Sequence, residues 1–377
     1  MNENSTRKNV AFAAIDPYVE RNIVSPKEKL NSSRNLVEWG DGNKYPDYLL
    51  DLVSNVATLR SIVLGNVDFI TGDDVSILPL KERFAGGIMN TRGDSIRNQV
   101  HDVAKDHEIY GGFALQIIRD HFGDVGEIYN IEMRYLRMNK DCNVFYYSEH
   151  WGDGGRKNVV VYPTFIPDLD WASLSDEEKD RHASSILFVK DVRSQVYPAP
   201  KYAASILACE TERAINEFHW NSINNGFTPS MIVNFNNGVP DDESKAEIED
   251  DFEEKFCGPQ NAGRFMLSFN KDRMSAATFE SPKVEDFGEK YQALAERSRQ
   301  EIFTAFRAVP LLFGLTAGTN TGFSTDEFEQ SFKLYNRTQI RPVQRMICDA
   351  YDRIYGQNGV LTIKPFSLDN DNETEVN

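Results

Sequence analysis

The sequence predicts an α+β chain in which two long helices enclose a small α/β insert. Helices and an antiparallel sheet precede that unit, and a third long, kinked helix follows it. Three observations carry this reading. Apolar residues recur at three- and four-residue spacing in several long segments. Between residues 110 and 166 the period changes to two, with turn residues between short apolar runs. The segments 201–224 and 281–309 both read as long helices, and a strand–acidic helix–strand stretch separates them.

The elements follow in order. Residues 1–34 are polar and read as a flexible N-terminal arm. Trp39-Gly-Asp-Gly-Asn-Lys-Tyr-Pro46 is a turn that delivers Pro46 to a first helical position and Asp47 to the positive helix end. Tyr48, Leu49, Leu52, Val53 and Val56 then fall at helical spacing. Leu59, Ile62, Val63, Val67 and Ile70 predict a second helix, stopped by Gly72. Residues 94–109 predict an amphipathic helix with Ile96, Val100 and Val103 inward. Strands are predicted at 110–118, 128–138, 143–147, 159–166 and 186–189, with 168–181 a charged surface excursion.

Tyr197-Pro-Ala-Pro200 breaks the strand pattern. A helix over 201–224 follows, about 36 Å long at the α-helical rise, and Asn225-Gly226 stops it. Strands at 231–235, 265–269 and 276–279, with an acidic helix over 240–256, make the insert. Ser281-Pro282 opens the second long helix. Phe287, Tyr291, Leu294, Ser298, Ile302 and Phe306 share one face of it, and it ends before Val309-Pro310. An apolar, then glycine-rich, loop runs from Leu311 to Phe323. Ser324-Thr-Asp-Glu327 is a capping box for the third helix, which carries Phe328, Phe332, Tyr335, Val343, Ile347, Tyr351 and Ile354, kinks at Pro342 and closes at Gly356. Residues 357–377 read as a frayed tail.

The 377 residues are 40% hydrophobic and 26% charged, which is ordinary globular composition. Against 41 Lys+Arg stand 58 Asp+Glu, a net charge of -17. A protein that grips nucleic acid by neutralising phosphates should be basic, so tight non-specific binding is excluded. A protein past which nucleic acid slides is not. Cys142, Cys209, Cys257 and Cys348 form no CxxC pair, which argues against a disulfide framework or zinc site. The N-terminus has no signal-peptide core, and no run approaches the roughly 18 apolar residues that span a bilayer.

No catalytic motif is present: no phosphate-binding GxxxxGK[ST], no dinucleotide fingerprint after a strand, no nucleophile elbow. The six histidines do not pair at metal spacing and read as solvated or satisfied in the core. The run Asp241–Glu254 holds nine acids and one Lys. It reads either as a solvated helix face or as a negative patch that docks a basic partner. Gly258-Pro-Gln-Asn-Ala-Gly-Arg264 follows a helix rather than opening one, so it reads as a turn and not a phosphate loop. The loop Gly314–Gly322 joins two long helices. Its length and its small uncharged side chains suit close approach to a polyanion without grip.

The ordered set of segments resembles the portal proteins of tailed bacteriophages over residues 35–355. The residues that carry the resemblance are Trp39-Gly-Asp-Gly-Asn-Lys-Tyr-Pro46, Tyr110-Gly-Gly-Phe-Ala, Asn225-Gly226-Phe227-Thr-Pro229-Ser, the acidic helix, Gly258-Pro-Gln-Asn-Ala-Gly263, and Ile302-Phe-Thr-Ala-Phe306-Arg-Ala-Val-Pro310-Leu-Leu-Phe-Gly314. The resemblance implies a ring, dodecameric in most relatives, at one capsid vertex. It implies a wing at 35–196, stem helices at 197–226 and 281–309, and a clip at 227–280. The tunnel loop would be 310–324 and the kinked wing helix 325–356, with the crown absent or vestigial after 357–377. It implies a non-enzymatic virion protein, made in the bacterial cytoplasm, without cofactor, metal or membrane contact. Its partners would be copies of itself, the large terminase subunit, capsid or scaffold protein, a head–tail adaptor, and double-stranded DNA that passes without sequence-specific contact.

The site expectations follow. Thr316, Thr319, Asn320 and Thr321 are expected at the DNA channel. Asp250, Asp251, Glu253 and Glu254 are expected to dock partners through the clip. Phe218, Phe287, Tyr291 and Phe306 are expected in stem and ring packing. The alternatives are an acidic virion scaffold or adaptor, which would be small or heterogeneous in solution, and a metal-dependent nuclease, for which no clustered carboxylates are found at convincing spacing.

Overall fold

The structure is a computed structural model. It describes residues 23–32, 35–78, 86–151, 158–191, 195–224, 231–235, 240–241, 244, 248, 265–269, 287–314 and 325–368. The fold is α+β. The described residues fall into two compact units, one within 23–210 and 299–368 and one within 211–298. Both divisions, after Glu210 and after Ser298, fall inside a long helix.

The larger unit opens with β1 (Glu28–Asn31) and β2 (Leu36–Trp39), followed by α1 (Tyr45–Asn55) and α2 (Ala57–Thr71). Pro46 occupies the first turn of α1, as its locked φ favours. The two helices meet at Val56 with a bend of 98°. Next come β3 (Asp74–Ile77) and α3 (Ile96–Tyr110). Ser95 caps α3 by accepting from the Asn98 amide. Gly111 ends it in the left-handed region at φ 84°.

Strands β4 (Gly112–Arg119), β5 (Val125–Ile131) and β9 (Ser184–Lys190) form one antiparallel sheet in the order β5-β4-β9. Strands β6 (Leu136–Met138), β7 (Val144–Tyr147) and β8 (Val160–Pro163) join β1 and β2 in a second, β1-β2-β6-β7-β8. The single sheet expected from the sequence is therefore two. The predicted strand 128–138 is broken by a 3-10 turn at Met133–Tyr135, and its halves enter different sheets. The excursion at 168–181 carries a helix, α4 (Asp176–His182), opened by a capping box of Ser175 and Glu178.

Two expectations are corrected at the ends of elements. The arm does not extend to residue 34: Glu28–Asn31 pairs with Leu36–Trp39. The Glu28 carboxylate accepts from the amides of Val196 and Tyr197, at 3.2 and 2.7 Å, and pins the strand to a segment remote in sequence. The tail is also structured, because β12 (Leu361–Lys364) pairs antiparallel with β3. Finally, the irregularity expected at Pro342 takes the form of a π-turn: helices Thr325–Tyr335 and Arg341–Tyr355 are joined by Asn336–Ile340, the turn just before Pro342, where the proline ring would meet the Thr338 carbonyl of a regular helix.

Two apolar clusters fill the larger unit. One gathers Trp39, Leu49, Leu52, Leu59, Ile62, Tyr110, Met138 and Tyr197, and takes in Ile302, Phe303 and Phe306. The Trp39 and Tyr197 rings stack at 4.5 Å. The other packs α3 and β4 against Val343, Ile347, Tyr351 and Ile354. Among them lies Arg137, fully buried. It donates through Nε to Asn43 Oδ1 at 2.8 Å and through Nη2 to the Asn43 carbonyl at 2.8 Å. Burial pushes its pKa down to about 10. Asn43 is itself in a left-handed conformation (φ 62°), which explains the turn-rich Trp39–Pro46 segment as a cradle for a buried cation.

In the smaller unit, β10 (Met231–Phe235) and β11 (Phe265–Phe269) pair in parallel in register. The predicted helix 240–256 and strand 276–279 lie outside the described residues, apart from helical positions at Ser244 and Ile248.

Gly111 combines a left-handed φ with close approach to the Ala199 carbonyl, where an added Cβ would collide with backbone. Gly111→Ala should therefore lower stability by about 3 kcal/mol or more. Gly86 has open space around it, and Gly86→Ala should stay within about 0.5 kcal/mol of the parent. Denaturant unfolding of the two variants measures the difference.

Candidate functional site

The first long helix, α5, spans Ile206–Asn224, preceded by a 3-10 turn at Ala203–Ser205. It starts later than the sequence suggests because Tyr202 folds inward, donating its hydroxyl to the Ile109 carbonyl at 2.8 Å. In the larger unit, Cys209 is buried and Glu210 accepts from the Tyr48 hydroxyl at 2.9 Å. Leu207 projects outward, 68% exposed. In the smaller unit, Ile215 is buried while Phe218 and Trp220 are 46% and 65% exposed.

The second long helix is Phe287–Phe306. Ser298 is buried in the smaller unit, and Ile302, Phe303 and Phe306 enter the core of the larger one. Leu294 is 43% exposed. The helix ends with Arg307 in the left-handed region (φ 52°), and the Ala308 amide returns to the Phe303 carbonyl at 2.9 Å, a left-handed helix stop without glycine.

Of the residues expected in stem packing, Phe218 and Tyr291 come together, with rings stacked at 4.8 Å and inclined by 30°. Phe306 lies elsewhere, buried in the larger unit and stacked on Tyr202 at 5.6 Å. Phe287 is the first helical residue, and its side chain lies outside the described residues. The expected channel residues Thr316, Thr319, Asn320 and Thr321 lie outside the described residues. So do Asp250, Asp251, Glu253 and Glu254.

Pro310–Phe313 forms a 3-10 turn closed by Gly314 in the left-handed region. Phe313 contacts three aromatic rings: Tyr335 at 5.8 Å, Phe303 at 6.1 Å and Phe69 at 6.2 Å. Gly65 of α2 makes room for it, since a Cβ there would lie 2.8 Å from Phe313 Cε1. The sequence reading took Leu311–Phe313 as the entry to a loop. The structure makes Phe313 an anchor between the end of the second long helix and the helix that follows the loop.

Beneath that anchor lies a buried polar centre that periodicity did not reveal. The Glu108 carboxylate accepts from Lys201 Nζ at 2.7 Å and from Asn66 Nδ2 at 2.7 Å. Asn66 Oδ1 in turn accepts from the Tyr335 hydroxyl at 2.7 Å. His107 is buried between Glu108 and Asp191, at 3.1 Å from each carboxylate. Burial alone would raise the Glu108 pKa, but the Lys201 ammonium and His107 outweigh it and hold it near about 2. Burial alone would lower that of His107, but Asp191 and Glu108 outweigh it and raise it. Among the described residues, no group of three or more His, Cys, Asp or Glu side chains is placed to hold a metal ion.

Residues 95–370 match the family of phage portal proteins. The chain belongs to that family. As a portal protein it is a virion component that forms a ring at a capsid vertex, and the family is structural rather than catalytic. The probable portal protein of Haemophilus phage HP1 (strain HP1c1) is 21% identical over 306 residues, covering 76% of this chain and 81% of that protein. Two chains from native gene transfer agent particles are similar in structure. One, from the virion, has a TM-score of 0.54 at 14% identity, covering 90% of this chain and 85% of its own. The other, from the neck computed with C12 symmetry, has 0.51 at 17%, covering 85% and 84%. An HK97 family phage portal protein from Corynebacterium diphtheriae has a TM-score of 0.50 at 8% identity, covering 84% of this chain and 95% of that one. At these identities the structural likeness is one of fold.

The polar centre of this portal chain carries a pH signature. Glu108 has a depressed pKa, so its stabilising share is complete above its ordinary value near 4.5 and is lost as pH falls toward about 2. His107 has a raised pKa, so its share is complete below 6.5 and is lost as pH rises through the raised value. Thermal unfolding across pH should show the acid limb flattened in Glu108→Gln and the alkaline limb flattened in His107→Gln, each relative to the parent chain.

Proposed function

We propose that this portal chain closes as a ring of identical copies, twelve in number, around duplex DNA that passes during packaging and ejection. The observation that carries the proposal is the set of apolar side chains left outside on the two long helices: Leu207, Phe218, Trp220 and Leu294. Residues 216–221 of the first helix are all exposed, so Trp220 and the outer part of Phe218 form an apolar surface that the single chain leaves open. A head-to-tail contact between identical copies covers such faces and, if the rotation closes, makes a ring. The C12 symmetry of the similarly folded neck chain supports the number.

In this arrangement Ile206–Asn224 and Phe287–Phe306 are the stem helices, and 35–196 with 325–356 the wing. Residues 227–280 form the clip and 310–324 the tunnel loop. Asp250, Asp251, Glu253 and Glu254 of the clip dock the large terminase subunit and later the head–tail adaptor. Capsid or scaffold protein surrounds the ring. Thr316, Thr319, Asn320 and Thr321 of the tunnel loop face the DNA. Their lack of charge leaves phosphates unneutralised, so the duplex is guided without counterion release and without grip. The net charge of -17 acts in the same direction.

Negative-stain imaging and light scattering of the purified chain should show closed rings. Trp220→Glu combined with Leu294→Glu should shift the chain to single copies with little change in the unfolding temperature of the isolated subunit, since both side chains are exposed. Rings that persist in the double variant would place the subunit contact elsewhere. In a packaging assay, Thr319→Arg should slow DNA movement and make it more sensitive to salt, since each arginine adds about one phosphate contact. Unchanged rate and salt dependence would remove the loop from the channel. A charge-neutralised clip (Asp250→Asn, Asp251→Asn, Glu253→Gln, Glu254→Gln) should form rings but lose terminase binding in pull-down.

A further inference from the structure

Arg337, Arg341 and Arg345 follow one another at four-residue intervals across the π-turn and into helix Arg341–Tyr355. All three are exposed. Among the described residues, none has a hydrogen bond, an ion pair or a ring contact. Like charges one turn apart repel on a helix, and the only opposite charge on the same row is Asp349 at its far end. The three side chains line an open groove of about 620 Å³, with Gln344, Cys348, Ile363 and Pro365. Gln344 is tied down by donating to the Phe69 and Ile70 carbonyls, at 3.3 and 3.0 Å. Ile363 belongs to β12, which is paired only with β3 among the described residues.

We propose that this groove is a binding site for an acidic peptide segment of a partner protein, with carboxylates on the three guanidinium groups and an apolar side chain against Ile363 and Pro365. The arginine row is about 12 Å long at the α-helical rise, enough for two or three carboxylates. Guanidinium groups suit this role because their planar fork takes a carboxylate in two parallel hydrogen bonds. A DNA duplex fits less well. It would leave the apolar side chains unused, and the negative charge of the whole chain opposes a dense polyanion more strongly than it opposes a few carboxylates. The groove is a property of the single chain and takes the same segment whether or not copies close into a ring.

Fluorescence anisotropy on the purified full-length chain tests this. The probe is a fluorescein-labelled peptide, Glu-Leu-Glu-Glu-Leu-Glu, compared with Lys-Leu-Lys-Lys-Leu-Lys and with a short labelled DNA duplex. The acidic peptide should bind in a salt-sensitive manner and the basic one should not. The triple variant Arg337→Ala, Arg341→Ala, Arg345→Ala should weaken binding by about tenfold or more, as expected for three exposed charge contacts acting together. All three positions are exposed, so its thermal unfolding should match the parent. Arg341→Lys should retain most of the affinity. Three results would overturn the proposal: no binding of the acidic peptide, equal binding by a triple variant that unfolds like the parent, or a duplex that binds more tightly than the peptide and loses that binding with the same three substitutions.

Discussion

A carboxylate removed from water must be neutralised or matched, because an unpaired buried charge costs several kcal/mol. Glu108 meets that requirement with partners from distant parts of the chain. Asn66 comes from α2, and Lys201 from the turn that leads into the first long helix. Asn66 is held in turn by Tyr335, at the end of the helix that follows the channel segment. His107 extends the chain of contacts to Asp191. The start of one stem helix and the far flank of the loop are thus referred to the same buried point. Phe313 rests on the same Tyr335, so the near flank is tied to it as well. In the proposed ring, anchored flanks would suit a segment that stays close to moving DNA without being carried along by it.

The division of labour between charge and apolar surface has one physical basis. Acidity keeps the chain soluble and keeps DNA from adhering, but it also drives identical copies apart. Only apolar contact can overcome that repulsion without adding cations that would bind phosphate. In the proposed ring, Leu207, Trp220, Leu294 and the outer part of Phe218 would supply that contact. Arg337, Arg341 and Arg345 are the matching exception in charge: a basic row on an acidic body, lining an open groove.

Much of the fold was legible in local sequence. Pro46 opening α1 and the stop before Val309-Pro310 each concern residues within a turn or two of one another, where backbone sterics decide the outcome, whereas the cap of α3 by Ser95 became visible only in the structure. The helical faces of 287–306 and 341–355 were legible for the same reason, since a stripe at 3.6-residue spacing must be covered. The pairing of Phe218 with Tyr291 was anticipated only as membership of two facing helices; the ring contact itself needed coordinates.

The sequence by itself determined the α+β class, the order of elements, the acidity and the long helices around an insert, because these depend on composition and on neighbours along the chain. It also carried the family resemblance, through short segments kept in order. Tertiary structure alone decided that Glu28–Asn31 and Leu361–Lys364 are strands, that Arg137 is a buried cation on Asn43, and that Glu108 and Phe313 tie together the residues on either side of 315–324. Each of these rests on partners that lie far apart along the chain, where no periodicity reaches and only folding brings the groups within hydrogen-bond or van der Waals range.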